Sequence, residues 1–408
     1  MLRTVLLSIS VTPSRPSVVA ALVLALATVG LAAPAHAAAD DWTIPDKATI
    51  RIHGHGYGHG HGMSQHGAQG AALQGLTHQQ IAEFYYPGTT WGTAKGKVSV
   101  LISADTSKDV HVVATARLRL RVLASGTVLE LGAARPKASR WRITPLSGGR
   151  SQVSYRTSSW KVFRTFAGDA EVYTAGAPTT LVLPGGEKVA YRGKLRSVKK
   201  DTVNVLPLDR YLQGVVPQEM PPLWEPEAVQ AQSVAARTYA AYERAHPIAA
   251  HYQICDTTSC QVYGGVGAEH PAATSAVRAT RGEVLLYDGA PAFTQFSASS
   301  GGWTSAGSAP YLVAIQDPYD GWSGNPHSSW QTVVSDGTVE KAFPGVGNLT
   351  RIRFAGRDGN GEWGGRVDSV TVTGTAGSTT VSGEDFRFLL GLRSEWVNLT
   401  VTAGRVGR

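Results

Sequence analysis

From Lys97 to Val205 apolar and polar residues alternate in short runs: KVSVLIS, DVHVVA, RLRLRVL, VLELG, WRITPL, QVSYR, TTLVLP and KVAYRG. A period of two puts every second side chain on one face. With Gly, Pro and Ser breaks between the runs, it predicts an antiparallel sheet or small barrel with no helical stretch. The pattern then changes. PEAVQAQSVAARTYAAYER predicts a helix from Pro226 to about Arg244. Pro226 suits the first turn, where its missing N–H costs nothing, and Glu225 and Glu227 suit the positive end of the helix dipole. Ala228, Ala231, Ala235 and Tyr239 recur at helical spacing, so a stripe of mostly small residues can pack closely against another element. Ala272 to Thr280 reads as a further helix and Gly282 to Tyr287 as a strand. The tail from Arg351 to Leu399 reads as mostly strand with one helix. The expected fold class is α+β, β-rich, with the Ala-rich helix at its centre. The stretch from about 130 to 190 has room for an inserted small β subdomain.

Composition narrows the class. The chain has 408 residues, 42% hydrophobic and 17% charged, enough for one large or two ordinary domains. Arg3 and Arg15, an apolar run from Val18 to Ala33 and then Ala35-His36-Ala37 read as a secretory signal over 1–37. A retained anchor is the alternative, for which the apolar run is short. Export predicts a protein outside the cytoplasmic membrane, with no stable membrane insertion after cleavage and no nucleic acid as partner. Net charge is +8, spread without a Lys/Arg cluster, which suits an anionic cell wall only weakly. Cys255 and Cys260 are the two cysteines. In an exported chain a close pair favours a disulfide loop over a free dithiol.

Two segments carry chemistry. Glu219 is the one acid in an otherwise uncharged run from Leu212 to Trp224, among Val215, Val216, Pro217, Met220 and Pro221. Apolar surroundings raise a carboxyl pKa, which a general acid near neutral pH requires. The other reading is a capping or surface glutamate. His53 to Gly67, HGHGYGHGHGMSQHG, interleaves five histidines with glycine. Alternating His on a strand could hold a metal. A tight Gly-rich loop with incidental His side chains is the alternative, and no metal role is assigned.

The run PLDRYLQGVVPQEM leading into AQSVAARTYA resembles the signature of the SpoIID/LytB family, PLxxYLxGVVPxEM followed by AQxVAARTYA. GHGHGMSQHGAQGAALQG with IAEFYYPGT resembles the family's GHGxGMSQxGAxGxAxxG block and its YYPGT turn, and SASSGGWT its SxxGGxT loop. The resemblance implies a secreted peptidoglycan lytic transglycosylase with Glu219 as its single catalytic acid/base. It implies Arg237, His59, Ser64, Gln65, Ser299, Ser300, Gly301, Gly302 and Thr304 as substrate-binding residues. Tyr239 and Tyr263 are candidate sugar-stacking surfaces. Gln230 stands where the family often carries a lysine. Some members bind zinc in the cysteine loop through two Cys and two His. Here His251 precedes the first Cys but Ser259 precedes the second, so disulfide and zinc both remain readings, with the disulfide favoured.

Hydrolytic glycosidases usually employ two carboxylates, whereas this signature centres on one. One suffices if the substrate supplies the nucleophile, so no cofactor is implied. The expected partners are peptidoglycan glycan strands. The alternative function is a non-catalytic wall-binding enhancer of an N-acetylmuramoyl-L-alanine amidase, which would make such an amidase a partner too. In many members the glycine-histidine block follows the acid motif, whereas here it comes first. Residues 38–95 are therefore expected to fold back as part of the cleft of a catalytic domain over 96–408, with its core at 196–330. Gly58, Gly60 and Gly62 would let backbone approach a sugar.

Overall fold

The alternating runs between Lys97 and Pro207 form two sheets, seen in a computed structural model that describes residues 40–404. The signal expected over 1–37 lies outside the described residues. One sheet has seven strands, with Asp201–Pro207 between Lys97–Leu101 and Lys194–Val198. Asp201–Pro207 is buried on both faces from Thr202 to Leu206, and Asn204 is accommodated there by donating to the Arg192 and Lys194 carbonyls. The other sheet has six strands, with Val110–Val113 between Arg140–Leu146 and Thr179–Val182. Val112, Leu120, Trp141, Ile143, Val172 and Leu195 fill one core between them. The 130–190 stretch is stitched into both sheets: Ala170–Thr174 pairs with Leu118–Val122 and Lys194–Val198 in the larger one.

One local expectation needs correction, and one strand was not among the expected runs. A short helix, Leu131–Ala134, interrupts the supposedly helix-free region. Trp160–Ala167 is an edge strand, mostly exposed on both faces, so it lacks the alternation that betrays a half-buried strand.

The predicted central helix is Pro226–Ala245, within about a residue of the expected bounds. It is buried on most sides, including Ala228, Ala231, Ala235, Ala236, Ala240 and Ala241, and small residues let its neighbours close in. A second helix, Leu208–Glu219, runs into the acid and was not expected. Leu208, Tyr211, Leu212, Val215 and Val216 are buried at a 3–4 spacing along one face. Gly214 and Pro217 obscure that pattern, since both disfavour a helix interior. Gly214 is needed because a Cβ there would lie 2.8 Å from the Gly265 carbonyl oxygen and from the Tyr263 ring.

The glycine-histidine block packs back on the central helix. Ala48–Gly54 is the middle strand between Trp330–Ser335 and Val397–Ala403, over a second core that includes Ile50, Ile52, Phe386 and Leu399. The chain then turns through the glycines to Met63–Ser64, which pairs in parallel with Phe296–Ser297. Two helices follow, Gln65–Leu73 and His78–Tyr85. Gln69 Oε1 accepts from the Glu225 N–H at 2.9 Å, and the His78 ring sits between Glu227 and Glu283. Residues some 150 apart in sequence are thus pinned to the start of the central helix.

Candidate active site

Glu219 ends its helix at the wall of a pocket of about 230 Å³. The rest of the lining comes from four other parts of the chain: His59, Tyr239, the cysteine loop with Thr258, Ser259 and Val262, and Gln295 with Phe296. Burial pushes the Glu219 carboxyl up to about 7, and the hydrogen bond from the Val262 N–H to Oε1, at 2.8 Å, only partly offsets that rise. Glu219 is the one acid among the lining residues. A carboxyl near 7 is part protonated at neutral pH, so it can give a proton and take one back.

His59 shares this pocket, but as a neutral ring. Burial, with His61, Arg387 and Arg366 nearby, lowers its pKa to about 3. His59 Nδ1 accepts from the His61 N–H at 2.9 Å, which leaves the proton on Nε2. Such a ring brings no charge to an anion, and its N–H has the Phe296 carbonyl beside it.

Cys255 and Cys260 form a disulfide, and its loop carries Thr258 and Ser259 into the pocket wall. His251 faces away and pairs with Asp201 at 2.6 Å. Among the described residues no group of three or more His, Cys, Asp or Glu is arranged to hold a metal ion.

Most of the expected substrate contacts point elsewhere. Arg237 is fully buried. Its Nε donates to Asp209 Oδ1 at 2.9 Å, and its other nitrogens donate to the carbonyls of Ser233, Val277 and Glu283 and to Thr280 Oγ1. Held by those bonds and wholly buried, it braces helices and presents no surface to a glycan. The serine-rich loop also turns inward. Ser299 Oγ donates to Asp320 Oδ2, Ser300 Oγ to Asp317 Oδ2, and Thr304 Oγ1 to the Val313 carbonyl. The Gly301 N–H goes to Asp320 and the Gly302 N–H to Ser300 Oγ. Ser64 caps its helix by accepting from the Gly67 N–H, and donates to Asp320 Oδ1 at 2.6 Å. Gln65 bonds to Gln232. Asp317 and Asp320 therefore knot the N-terminal block to the serine loop, with Tyr85 also donating to Asp317. Tyr239 half-faces the pocket and stacks on Phe293, whereas Tyr263 is buried with its hydroxyl on Asn204. Gln230 lies outside the pocket and bonds to Glu227.

Sequence reasoning missed Val262, Gln295 and Phe296. Val262 acts through its backbone, which no side-chain pattern reveals. Gln295 and Phe296 stand just before the serine motif, and the strand pairing with Met63–Ser64 places them at the pocket.

The family model described as stage II sporulation protein, SpoIID, matches residues 196–287, which contain the acid, the central helix and the cysteine loop. Stage II sporulation protein D of Bacillus amyloliquefaciens is 30% identical over 251 residues, 55% of this chain and 68% of that protein. The chain belongs to the SpoIID family. The Bacillus subtilis (strain 168) SpoIID protein is 29% identical over 222 residues, 48% of this chain and 62% of the relative. The amidase enhancer of the same strain is 40% identical over 121 residues, 28% of this chain and 16% of the enhancer. This SpoIID chain thus spans a small part of the enhancer and about two thirds of the sporulation proteins.

Proposed function

We propose that this protein acts at the cell wall as a lytic transglycosylase that cuts peptidoglycan glycan strands. The observation that carries the reading is the lone, half-buried Glu219, held near neutrality in a pocket beside a neutral histidine. Glu219 protonates the glycosidic oxygen, and the bond from that oxygen to the muramyl anomeric carbon breaks. The resulting carboxylate removes the proton from the primary hydroxyl of the same muramyl unit. That oxygen then bonds to the anomeric carbon and leaves an anhydro-muramyl end. A single carboxyl completes the cycle, so the residues of the pocket meet the requirement that hydrolysis would divide between two acids. His59 and the Gln295–Phe296 segment orient the sugar, and Tyr239 offers an aromatic edge.

A second reading, a wall-binding enhancer of an amidase, is favoured by the match to the Bacillus subtilis amidase enhancer. Both readings locate the protein outside the cytoplasmic membrane, in contact with glycan strands. Digestion of purified strands, intact and stripped of stem peptides, separates them. Anhydro-muramyl products seen by mass spectrometry support the first reading, and binding without product supports the second.

A further inference from the structure

Eight lysines and arginines lie between Leu131 and Gly168, a span without an Asp or Glu. They match the net charge of +8 carried by the whole chain, so the rest of the chain balances. The positive charge is therefore concentrated, where a spread was expected. No two of these cations are adjacent in sequence, because they alternate with other residues along three strands. Those strands, Arg140–Leu146, Arg150–Arg156 and Trp160–Ala167, form a meander at one edge of the six-stranded sheet. None of their residues lines the Glu219 pocket.

Register decides which cations share a face. Trp141 and Ile143 are buried in the core, so Arg140 and Arg142 point away from it. Arg156 stands directly opposite Arg140, and Trp160 directly opposite Arg156. The Arg142 guanidinium lies over the Trp160 ring, 4.5 Å from its centroid. Three guanidiniums thus crowd one face around an indole. Like charges directly opposite one another destabilise a sheet, yet Arg140 is kept against Arg156. Among the described residues neither of that pair has a carboxylate at salt-bridge distance, whereas Arg142 has Asp109 Oδ2 3.7 Å away. Arg156 is exposed and Arg140 half-buried, so both can meet a partner from solvent.

We infer that this face docks a linear phosphodiester polymer of the cell wall, of the poly(glycerol phosphate) kind. The inference rests on the wall location proposed above and is independent of cleavage. Six of the eight cations are arginines, whose planar forks match phosphate oxygens. Same-face positions repeat about 5–7 Å apart across and along the strands, a spacing that phosphates joined by three-carbon linkers can follow. A bilayer surface fits less well. Arg142 covers the indole, and Val162 is the one large apolar side chain well exposed on the three strands. Docking here tethers the protein to the wall and leaves the Glu219 pocket, built from other segments, open.

The test titrates the protein calorimetrically with purified poly(glycerol phosphate) at rising salt. Arg140→Gln with Arg156→Gln should weaken binding about tenfold and flatten its salt dependence, because fewer counterions are released. Arg51→Gln with Arg353→Gln, exposed on strands over the second core, removes the same net charge and should weaken binding about twofold at most. Thermal melting checks folding, and separating Arg140 from Arg156 should hold or raise the melting temperature. Should that pair not fold, Arg156→Gln alone should weaken binding about threefold. Equal losses from the two pairs would mean attraction by net charge alone and overturn the docking face. So would a wild-type protein that fails to bind the polymer at about 0.15 M salt. Polyglutamate bound as tightly as the polymer would remove the phosphate, and binding only to phosphatidylglycerol vesicles would assign a membrane instead. Both pairs should digest purified strands at the wild-type rate. Strands left uncut by the wild-type protein would remove the proposed activity and leave the docking face standing.

Discussion

The Val262 N–H donates to Glu219 Oε1 at 2.8 Å, and that bond ties the acid to the chain just beyond the Cys255–Cys260 disulfide. The contact sets where the proton sits. With Oε1 held by a donor, the other oxygen is the one free to carry and transfer a proton. The carboxyl is still drawn up to about 7, because burial outweighs the single hydrogen bond.

Glu219→Gln should lower strand cleavage by about 10²–10⁴ while keeping strand binding, since Gln retains the acceptor for Val262 and loses the transferable proton. The same variant should be more stable than wild type at alkaline pH. A carboxyl whose folded pKa is raised contributes stability below its unfolded value, about 4.5, and loses it as pH rises through about 7. The gain should reach at most about 3 kcal/mol near pH 8 and vanish near pH 4. Chemical denaturation at the two pH values measures it, and equal gains at both would contradict a buried carboxyl.

The rate of cleavage should fall above about pH 7, tenfold per unit once Glu219 is ionised, because the first step needs its proton. His59 stays neutral down to about 3, so its charging should not limit the rate in the range from 4 to 7. A kcat/KM profile from pH 4 to 9 checks both statements. Activity that rises steadily to pH 9 would assign the acid elsewhere.

His59→Ala should impair cleavage with little loss of stability, whereas His53→Ala should be nearly silent. His53 lies on the Ala48–Gly54 strand, outside the pocket lining. Gly60→Val differs from both. Gly60 has φ +75°, and a Cβ there would stand 2.3 Å from the Arg366 guanidinium. This glycine admits another part of the protein where a sugar contact was expected. Its substitution should therefore lower the melting temperature as well as the rate, which thermal denaturation beside an activity assay will show.

Reduction of Cys255–Cys260 should cost about 2 kcal/mol or less, given so short a loop, and should reduce cleavage more than stability. The loop lines the pocket and leads to Val262, so its release loosens the acid's partner. Intact mass with and without reductant should differ by the mass of two hydrogens. Full activity after complete reduction would show that the loop plays no part in holding the pocket.

Arg237→Ala should destabilise the fold by about 3–5 kcal/mol, because it leaves Asp209 and the carbonyls it served without their buried partner. Any protein that does fold should keep near-normal KM. A raised KM with unchanged melting would return Arg237 to the substrate side.

The sequence by itself determined most of the local elements and the candidate acid. Period-two runs marked most strands, the alanine-rich stretch marked Pro226–Ala245 nearly to its ends, and the resemblance of PLDRYLQGVVPQEM to the family signature pointed to Glu219. Each depends on residues within a turn or two, which local periodicity records. Tertiary structure decided where the polar side chains point. Ser299, Ser300 and Ser64 read as a sugar-facing set, yet Asp317 and Asp320 draw them inward from as far as 256 residues away. Arg237 turned to Asp209 for the same reason: a buried charge takes the partner that packing brings to it. His59 reached the Glu219 pocket only because Ala48–Gly54 is held between Trp330–Ser335 and Val397–Ala403. Burial and pairing at such separations depend on which surfaces meet, and the order of residues along one segment does not record that.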